Sequence, residues 1–249
     1  MGLCLCLCFV LFLQCVAQCN FCVFCHLWYH HLFGSLSHLH QIPSAELGFI
    51  LGVVTQSAVD LCCHPYGCRV VQRVLERCDE AETAPVIKAI LPQLPFLVGD
   101  QYGNYVLQHI LEFGSVESKN PIFSFVQGRV VPLSSHKYAS NILERCLQFG
   151  TPELRSALID EIVTPSFNTF VELGRRLPPD PHGTPLQILV ASPFGNFVVQ
   201  RMVDSSNEMQ RTALLEMLWS YAPILRRYTY GRHILSRLEK MASSGMPMQ

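Results

Sequence analysis

The chain has 249 residues, 49% of them hydrophobic and 15% charged, with a net charge of −1. This is enough for one or two domains with a sizeable core, and the charge balance excludes a protein that holds polyanions through a global basic field. The charges are unevenly placed: no Asp, Glu, Lys or Arg precedes Glu46, and the first basic residue is Arg69.

Residues 1–42 differ from the rest. Gly2 to Ala17 is apolar except for Gln14, and Cys4, Cys6, Cys8, Cys15, Cys19, Cys22 and Cys25 crowd the same region. A secretory signal opens with a basic stretch, which is missing here. A membrane span needs about 20 apolar residues, and Leu3 to Trp28 reaches that only by including Gln14, Gln18, Asn20 and His26. The segment is expected to stand outside the fold that follows, with membrane or secretory targeting by residues 1–28 as the alternative. Cys22-Val23-Phe24-Cys25-His26 spells a haem-attachment pattern, and Cys19, Cys22 and Cys25 begin an iron–sulfur run that lacks its next cysteine and proline. His30, His31, His38 and His40 add metal-binding chemistry without the paired spacing of a closed zinc site. No cofactor and no metal are therefore expected.

From residue 43 the chain becomes periodic. Pro43 to Cys63 reads as the closing helix of an incomplete repeat. Four variants of one phrase then start at His64, Asp100, His136 and Ser192, and a decayed fifth starts at Tyr228. The first three starts are 36 residues apart, as are the last two. Such a period marks a solenoid whose repeats bury apolar surface only against their neighbours. Within each phrase apolar pairs recur, as in Val70/Val71 with Val74/Leu75 and Val106/Leu107 with Ile110/Leu111, making one stripe of an α-helix. An aromatic column (Tyr66, Tyr102, Tyr138, Phe194, Tyr230) precedes a small one (Gly67, Gly103, Ala139, Gly195, Gly231), which allows close backbone approach. Segments such as 86–91 and 154–159 supply further helices, punctuated by Pro92, Pro95 and Pro121. The expected fold is all-α: an α-solenoid of about three helices per repeat, without strands. The interval from His136 to Ser192 is 56 residues, and its excess, about 164–191, carries Pro165, Pro178, Pro179, Pro181 and Pro185 and is expected to be an inserted loop. Residues 242–249 are expected to form a flexible tail. Cys62, Cys63, Cys68, Cys78 and Cys146 show no pairing pattern, which suits a reducing compartment.

The polar columns of the phrase vary while the apolar ones persist. At the first, second and fifth positions of the motif stand Cys68, Arg69 and Gln72, then Asn104, Tyr105 and Gln108, then Ser140, Asn141 and Glu144, then Asn196, Phe197 and Gln200. Positions one and five share a helix face, where paired amide or hydroxyl groups suit the edge of a flat polar ring. Position two carries planar side chains, able to stack on bases at roughly 1–3 kcal/mol each. Position six is Arg73, His109, Arg145, Arg201 and Arg237, suited to phosphate contact, with a solvated helix face as the alternative. The repeats hold no Gly-rich phosphate loop and no nucleophile with an oriented base, so no enzymatic activity is expected.

The spellings HPYGCRVVQRVLE, DQYGNYVLQHILE, HKYASNILERC and SPFGNFVVQRM resemble the last four repeats of a Pumilio (PUF) RNA-binding domain, and YTYGRHILSRLEK resembles its C-terminal cap. The resemblance covers about residues 43–241 and implies an armadillo-like stack in which each repeat reads one base of single-stranded RNA. It implies that Asn/Gln selects uracil, Ser/Glu guanine and Cys/Gln adenine. With RNA running antiparallel to the protein, the site is 5′-UGUA-3′. Arg69, Tyr105, Asn141 and Phe197 would stack between bases. It further implies a cytoplasmic regulator that binds mRNA 3′ untranslated regions and recruits translational-repression or mRNA-decay proteins. Family domains carry eight repeats, so the array is expected to be truncated on its N-terminal side. A helical protein-interaction scaffold that binds RNA weakly or not at all is the alternative.

Overall fold

A computed structural model describes residues 44–163 and 184–243. The membrane, signal, haem and zinc expectations for the first 42 residues, most of the Pro-rich insertion and nearly all of the expected tail lie outside the described residues. Among the described residues the chain is helical and without strands, and no helix is long and apolar enough to cross a membrane. The chain divides into two compact units, residues 1–122 and 123–249.

In the first unit α1 (Ser44–Gln56) and α2 (Ala58–Cys62) lead into α3 (Gly67–Arg77) and α4 (Glu80–Ile90). A short 3-10 turn and α5 (Leu94–Leu97) lead to α6 (Gly103–Phe113), and α7 (Val116–Val126) runs across the unit boundary. The motif helices α3 and α6 pack on each other, and α1 packs on α4. The second unit repeats the scheme with α8 (Val130–Ser134), α9 (Ala139–Phe149), α10 (Pro152–Val163), α11 (Pro185–Ala191), α12 (Gly195–Ser205), α13 (Glu208–Ser220), α14 (Ala222–Leu225) and α15 (Thr229–Ser243). There α9 packs on α12, α12 on α15, and α10 on α13. Val70, Val71 and Val74 in one unit, and Ile142, Leu143, Val198 and Val199 in the other, have no exposed surface. Each full burial of such a side chain stabilises the stack by about 1.5–3 kcal/mol.

Three sequence expectations change. The segment 43–63 is not one closing helix: it breaks at Ser57, which leaves helical geometry at φ −110° and ψ 21°, and α2 packs on α3 as the opening helix of the His64 repeat. Every repeat therefore begins one short helix before its motif. The inserted loop does not extend to Ala191, because Pro185–Ala191 is α11, with Leu186 and Leu189 fully buried. Thr184 caps it through a capping box with Gln187, and Pro185 sits in the first turn, where its missing N–H costs nothing. Pro121 does not end a helix but lies inside α7. It forgoes one backbone hydrogen bond, while Ile122 and Val126, both buried, carry the helix past it.

The closing helices use ordinary caps: Asp79 and Glu82 form a capping box on α4, and Asn207 accepts from the Gln210 amide on α13. The motif helices use another device. The first residue of each phrase accepts from two backbone amides at the helix entry: His64 Nδ1 from Tyr66 and Gly67, Asp100 Oδ1 from Tyr102 and Gly103, His136 Nδ1 from Tyr138 and Ala139, and Ser192 Oγ from Phe194 and Gly195. Directly behind this turn the backbone passes close to the preceding short helix. A Cβ on Gly67 would lie 2.6 Å from the Leu61 carbonyl oxygen, which is why the small column is small. Charged groups tie α8 and α13 in place: Glu161 accepts from the amides of Gly128 and Val130, and the buried Gln210 donates to Ser156 and Asp160.

His64 accepts through Nδ1 and must therefore be neutral, with its proton on Nε2. Burial holds its pKa below the ordinary histidine value. A histidine with a lowered folded pKa takes up a proton more readily when unfolded, so its contribution is intact above the unfolded pKa of about 6.5 and is lost as pH falls through it. Urea midpoints measured from about pH 7 to about pH 5 are expected to fall. His64→Asp, which supplies the acceptor that Asp100 supplies one repeat later, is expected to flatten that decline.

Candidate nucleic-acid interface

The position-one residues are buried: Cys68, Asn104, Ser140 and Asn196 are 1%, 0%, 3% and 1% exposed. Their partners lie in the turn that precedes each motif helix. Asn104 Nδ2 donates to the carbonyls of Asp100 and Gln101 at 2.9 and 3.0 Å. Carbonyls only accept, so the amide nitrogen must face them and Oδ1 must face along the helix. There it accepts from Gln108 Nε2 at 2.9 Å. Asn196 repeats the arrangement, donating to Ser192 and Pro193 and accepting from Gln200 Nε2. Ser140 donates to the Lys137 carbonyl and the Cys68 thiol to that of Pro65. Burial pushes the Cys68 thiol up to about 11, so it stays protonated.

Positions one and five therefore meet, as their spacing predicts, but in unequal roles. The position-one side chain is sealed, and position five is what the helix can present. Gln108, Glu144 and Gln200 are partly exposed. Gln72 is 4% exposed; its Oε1 accepts from Arg69 Nη1 at 3.0 Å, and its Nε2 has no partner. Gln200 Oε1 accepts from Arg237 Nη1 of the cap at 3.3 Å. Burial raises the Glu144 carboxyl above its ordinary pKa, opposed by the nearby Arg201 and Arg145.

Position two faces outward. Tyr105 and Phe197 are 41% and 56% exposed, so each presents a flat ring to solvent at this column. Arg69 is exposed, with its guanidinium 5.3 Å from the Tyr105 ring centre. Asn141 is half-buried. In the first unit the structure places Cys68, Arg69, Gln72, Asn104, Tyr105 and Gln108 on packed neighbouring helices; in the second it does so for Ser140, Asn141, Glu144, Asn196, Phe197 and Gln200.

Position six is not a row of free cations. Arg73 pairs with Glu76, and His109 Nε2 lies 2.8 Å from Glu76 Oε1, one repeat away. Arg237 of the cap pairs with Asp204 one repeat back. Arg145 lies against Gln148 and the Phe149 ring, and Arg201 bears on Glu144. Glu76 and Asp204 share the ninth motif position, so position nine of one repeat grips position six of the next. Sequence reading missed the acidic residues of position nine, Glu76, Glu112 and Asp204 (Gln148 and Lys240 stand there in the other two copies), as it missed the amide-accepting first residue of the phrase.

The sequence matches the Pumilio-family RNA binding repeat over residues 57–91, 97–126, 129–163 and 192–218, together more than half of the chain. The chain belongs to the Pumilio family. Similar curated relatives of that family include Pumilio homolog 4 of Arabidopsis thaliana, 38% identical over 61 residues, and Pumilio homolog 2 of Xenopus laevis, 38% identical over 67 residues. These stretches cover 24% and 27% of this chain and 6% of each relative, so the match spans only a small part of the relatives' length. Among solved Pumilio-family structures, PUF-8 in complex with PBE-RNA superposes with a TM-score of 0.70 at 30% identity, covering 82% of this chain and 56% of that one. The Puf3 RNA binding domain bound to a Cox17 RNA 3′ UTR recognition sequence gives 0.69 at 26% identity, covering 82% and 59%. The first Pumilio match begins at residue 57, in agreement with a repeat that opens on α2.

Because Glu144 has a raised pKa in the folded protein, its ionised form costs stability. That cost is absent below the unfolded carboxyl pKa and complete above the folded one. Glu144→Gln is therefore expected to raise the urea midpoint of the free chain at neutral pH and to leave it unchanged near about pH 3.

Proposed function

We propose that the chain binds single-stranded RNA sequence-specifically, taking one base per motif helix, and serves post-transcriptional regulation through elements of mRNA 3′ untranslated regions. One observation carries this reading: on motif helices in both units, a sealed position-one group stands under a position-five group that is half-buried in three motifs and buried at Gln72, beside an exposed planar side chain in three of the four. Tyr105 and Phe197 stand open to solvent at the same motif position, each beside an amide pair of fixed orientation. The RNA complexes formed by the similar PUF-8 and Puf3 proteins support the same reading.

In this reading Asn196/Gln200, Ser140/Glu144, Asn104/Gln108 and Cys68/Gln72 take U, G, U and A in 5′ to 3′ order. The carboxylate of Glu144 accepts from both guanine N1–H and the exocyclic amine, whereas the glutamines offer a donor and an acceptor together. Arg69, Tyr105, Asn141 and Phe197 stack on the bases. Phosphates approach along Arg73, His109, Arg145, Arg201 and Arg237, exchanging with the side chains that now engage them. Translational repression or mRNA decay then follows from partner proteins recruited in the cytoplasm.

Titration of a UGUA oligonucleotide against ACUA tests the reading: UGUA is expected to bind at least about tenfold more tightly, the scale of one or two mismatched bases. Equal affinities would rule it out. Glu144→Gln is expected to lose most of the preference for guanine over adenine at the second base while overall RNA binding persists; an unchanged preference would remove guanine from that position.

A further inference from the structure

The two motif helices of the first unit hold the same residue, glutamine, at position five, in opposite orientations. Around Gln108 the chain of constraint starts in the backbone. Two carbonyls fix the Asn104 nitrogen, Asn104 offers its oxygen, and Gln108 must answer with Nε2. One of that nitrogen's two hydrogens is thereby used inside the protein. Around Gln72 the constraint comes from elsewhere. Cys68 cannot offer an acceptor in the same way, because its thiol is buried, stays protonated and donates to Pro65. The neighbour of Gln72 is instead Arg69, whose guanidinium has donors only. Gln72 must therefore turn Oε1 to Arg69, at 3.0 Å, and both hydrogens of its buried Nε2 remain without a partner.

We propose that Arg69 is a specificity-determining positioning residue: its hydrogen bond sets the amide polarity of Gln72, so that this repeat offers a donor to the base. This rests on the RNA-binding reading above. A base with a ring-nitrogen acceptor satisfies the orphaned Nε2. Adenine N1 and cytosine N3 are such acceptors, whereas uracil N3–H and guanine N1–H oppose a donor with a donor. Uracil and guanine can meet that donor only through a carbonyl oxygen beside the opposing ring N–H, and an unpaired buried donor is costly, so the repeat disfavours them relative to adenine and cytosine. Cytosine and uracil have nearly the same size and shape, so their ratio at this position isolates amide polarity from the space available. In the Asn104/Gln108 repeat the same amide is committed the other way, which makes the pair of repeats complementary readers from one side-chain type.

The experiment uses the full chain and oligonucleotides UGUA, UGUC, UGUU and UGUG with constant flanks. The wild type is expected to prefer UGUC over UGUU by about fivefold, the net worth of one hydrogen bond, with UGUA tightest. Arg69→Phe keeps a flat side chain, as Phe197 does at the same motif position, but has no donor; its UGUC to UGUU ratio is expected to fall to about one. Arg69→Lys keeps a donor and loses the plane, so it is expected to bind all four oligonucleotides more weakly while retaining the UGUC preference. Arg69 is exposed, and urea midpoints verify that both variants fold. An unchanged ratio in Arg69→Phe, or equal loss of the ratio in both variants, overturns the assignment while leaving RNA binding intact. Failure of the wild type to distinguish UGUA from ACUA overturns the RNA-binding reading and this inference with it.

Discussion

The site depends on one packing constraint: the apolar stripe of each motif helix is buried to the point of having no exposed surface, so the helix cannot rotate about its axis. With that rotation fixed, the rest follows from helical geometry. Position two lies opposite the stripe and is forced outward, position one is forced into the turn behind it, and position five lies between. The polar side chains did not need to find these places separately. A shift of the stripe by one residue toward the helix start would bury Tyr105 and expose Leu107 and Leu111, turning the whole polar column away at once.

Within that frame the polar groups are oriented by what their neighbours cannot do. Backbone carbonyls cannot donate, so Asn104 and Asn196 have one allowed amide orientation. Guanidinium groups cannot accept, so Gln72 has one as well. For Asn104 and Asn196 the orientation passes outward from the backbone to a partly exposed glutamine, whereas for the buried Gln72 it is imposed from the exposed Arg69. A similar economy governs charge. Glu76 and Asp204 hold basic residues of the adjacent repeat in their own unit, so each ion pair fixes the spacing of two motif helices as well as neutralising a column that would otherwise repel itself. His109–Glu76 is partly buried and Arg237–Asp204 is exposed, so each contributes modestly to stability, yet they keep the interface near neutrality, in line with the net charge of −1. In the proposed reading, recognition leans on stacking and hydrogen bonds rather than on a basic field.

Much of this was legible in the sequence because repeats supply their own comparison. A lone Gln72 means nothing, but Gln72, Gln108, Glu144 and Gln200 at matching places in four phrases mark a column that varies for a reason. The same logic gave the helix stripe, the small column and the outward plates. It failed where a feature is not carried by the motif. The short opening helices, α2, α5, α8, α11 and α14, are only four to seven residues long and have no periodicity of their own. Pro185 signalled a loop, yet it sits in the first turn of α11, the one helical place proline suits. Position six reads as a phosphate path or a solvated face because basic residues recur there, but the sequence does not show that packing brings His109 to Glu76 and Arg237 to Asp204 of the preceding repeat.

The polar groups of this chain fall into two classes, and the contrast bears on function. Most that hold the fold have partners: Glu161 accepts two amides although burial raises its carboxyl too, Gln210 Nε2 lies against three acceptors, and Asn104 uses both its nitrogen and its oxygen. At position five the pattern breaks. Gln72 keeps an orphaned buried nitrogen, and Glu144 holds a carboxyl whose charge burial disfavours. An orphan alone decides little, since Ser134 Oγ and His64 Nε2 also lack partners. What separates Gln72 and Glu144 is that both stand in the same variable column, at the boundary of solvent, on helices whose second residue is a side chain of planar chemistry. A fold that satisfies its structural amides so fully, yet leaves these two groups in unfavourable states, carries a local cost that packing does not require. A base edge offering an acceptor to Gln72 and donors to Glu144 would remove both costs at the moment of binding. In the proposed reading, a reading position is a group that its own protein leaves in an unfavourable state and that a matching base edge relieves.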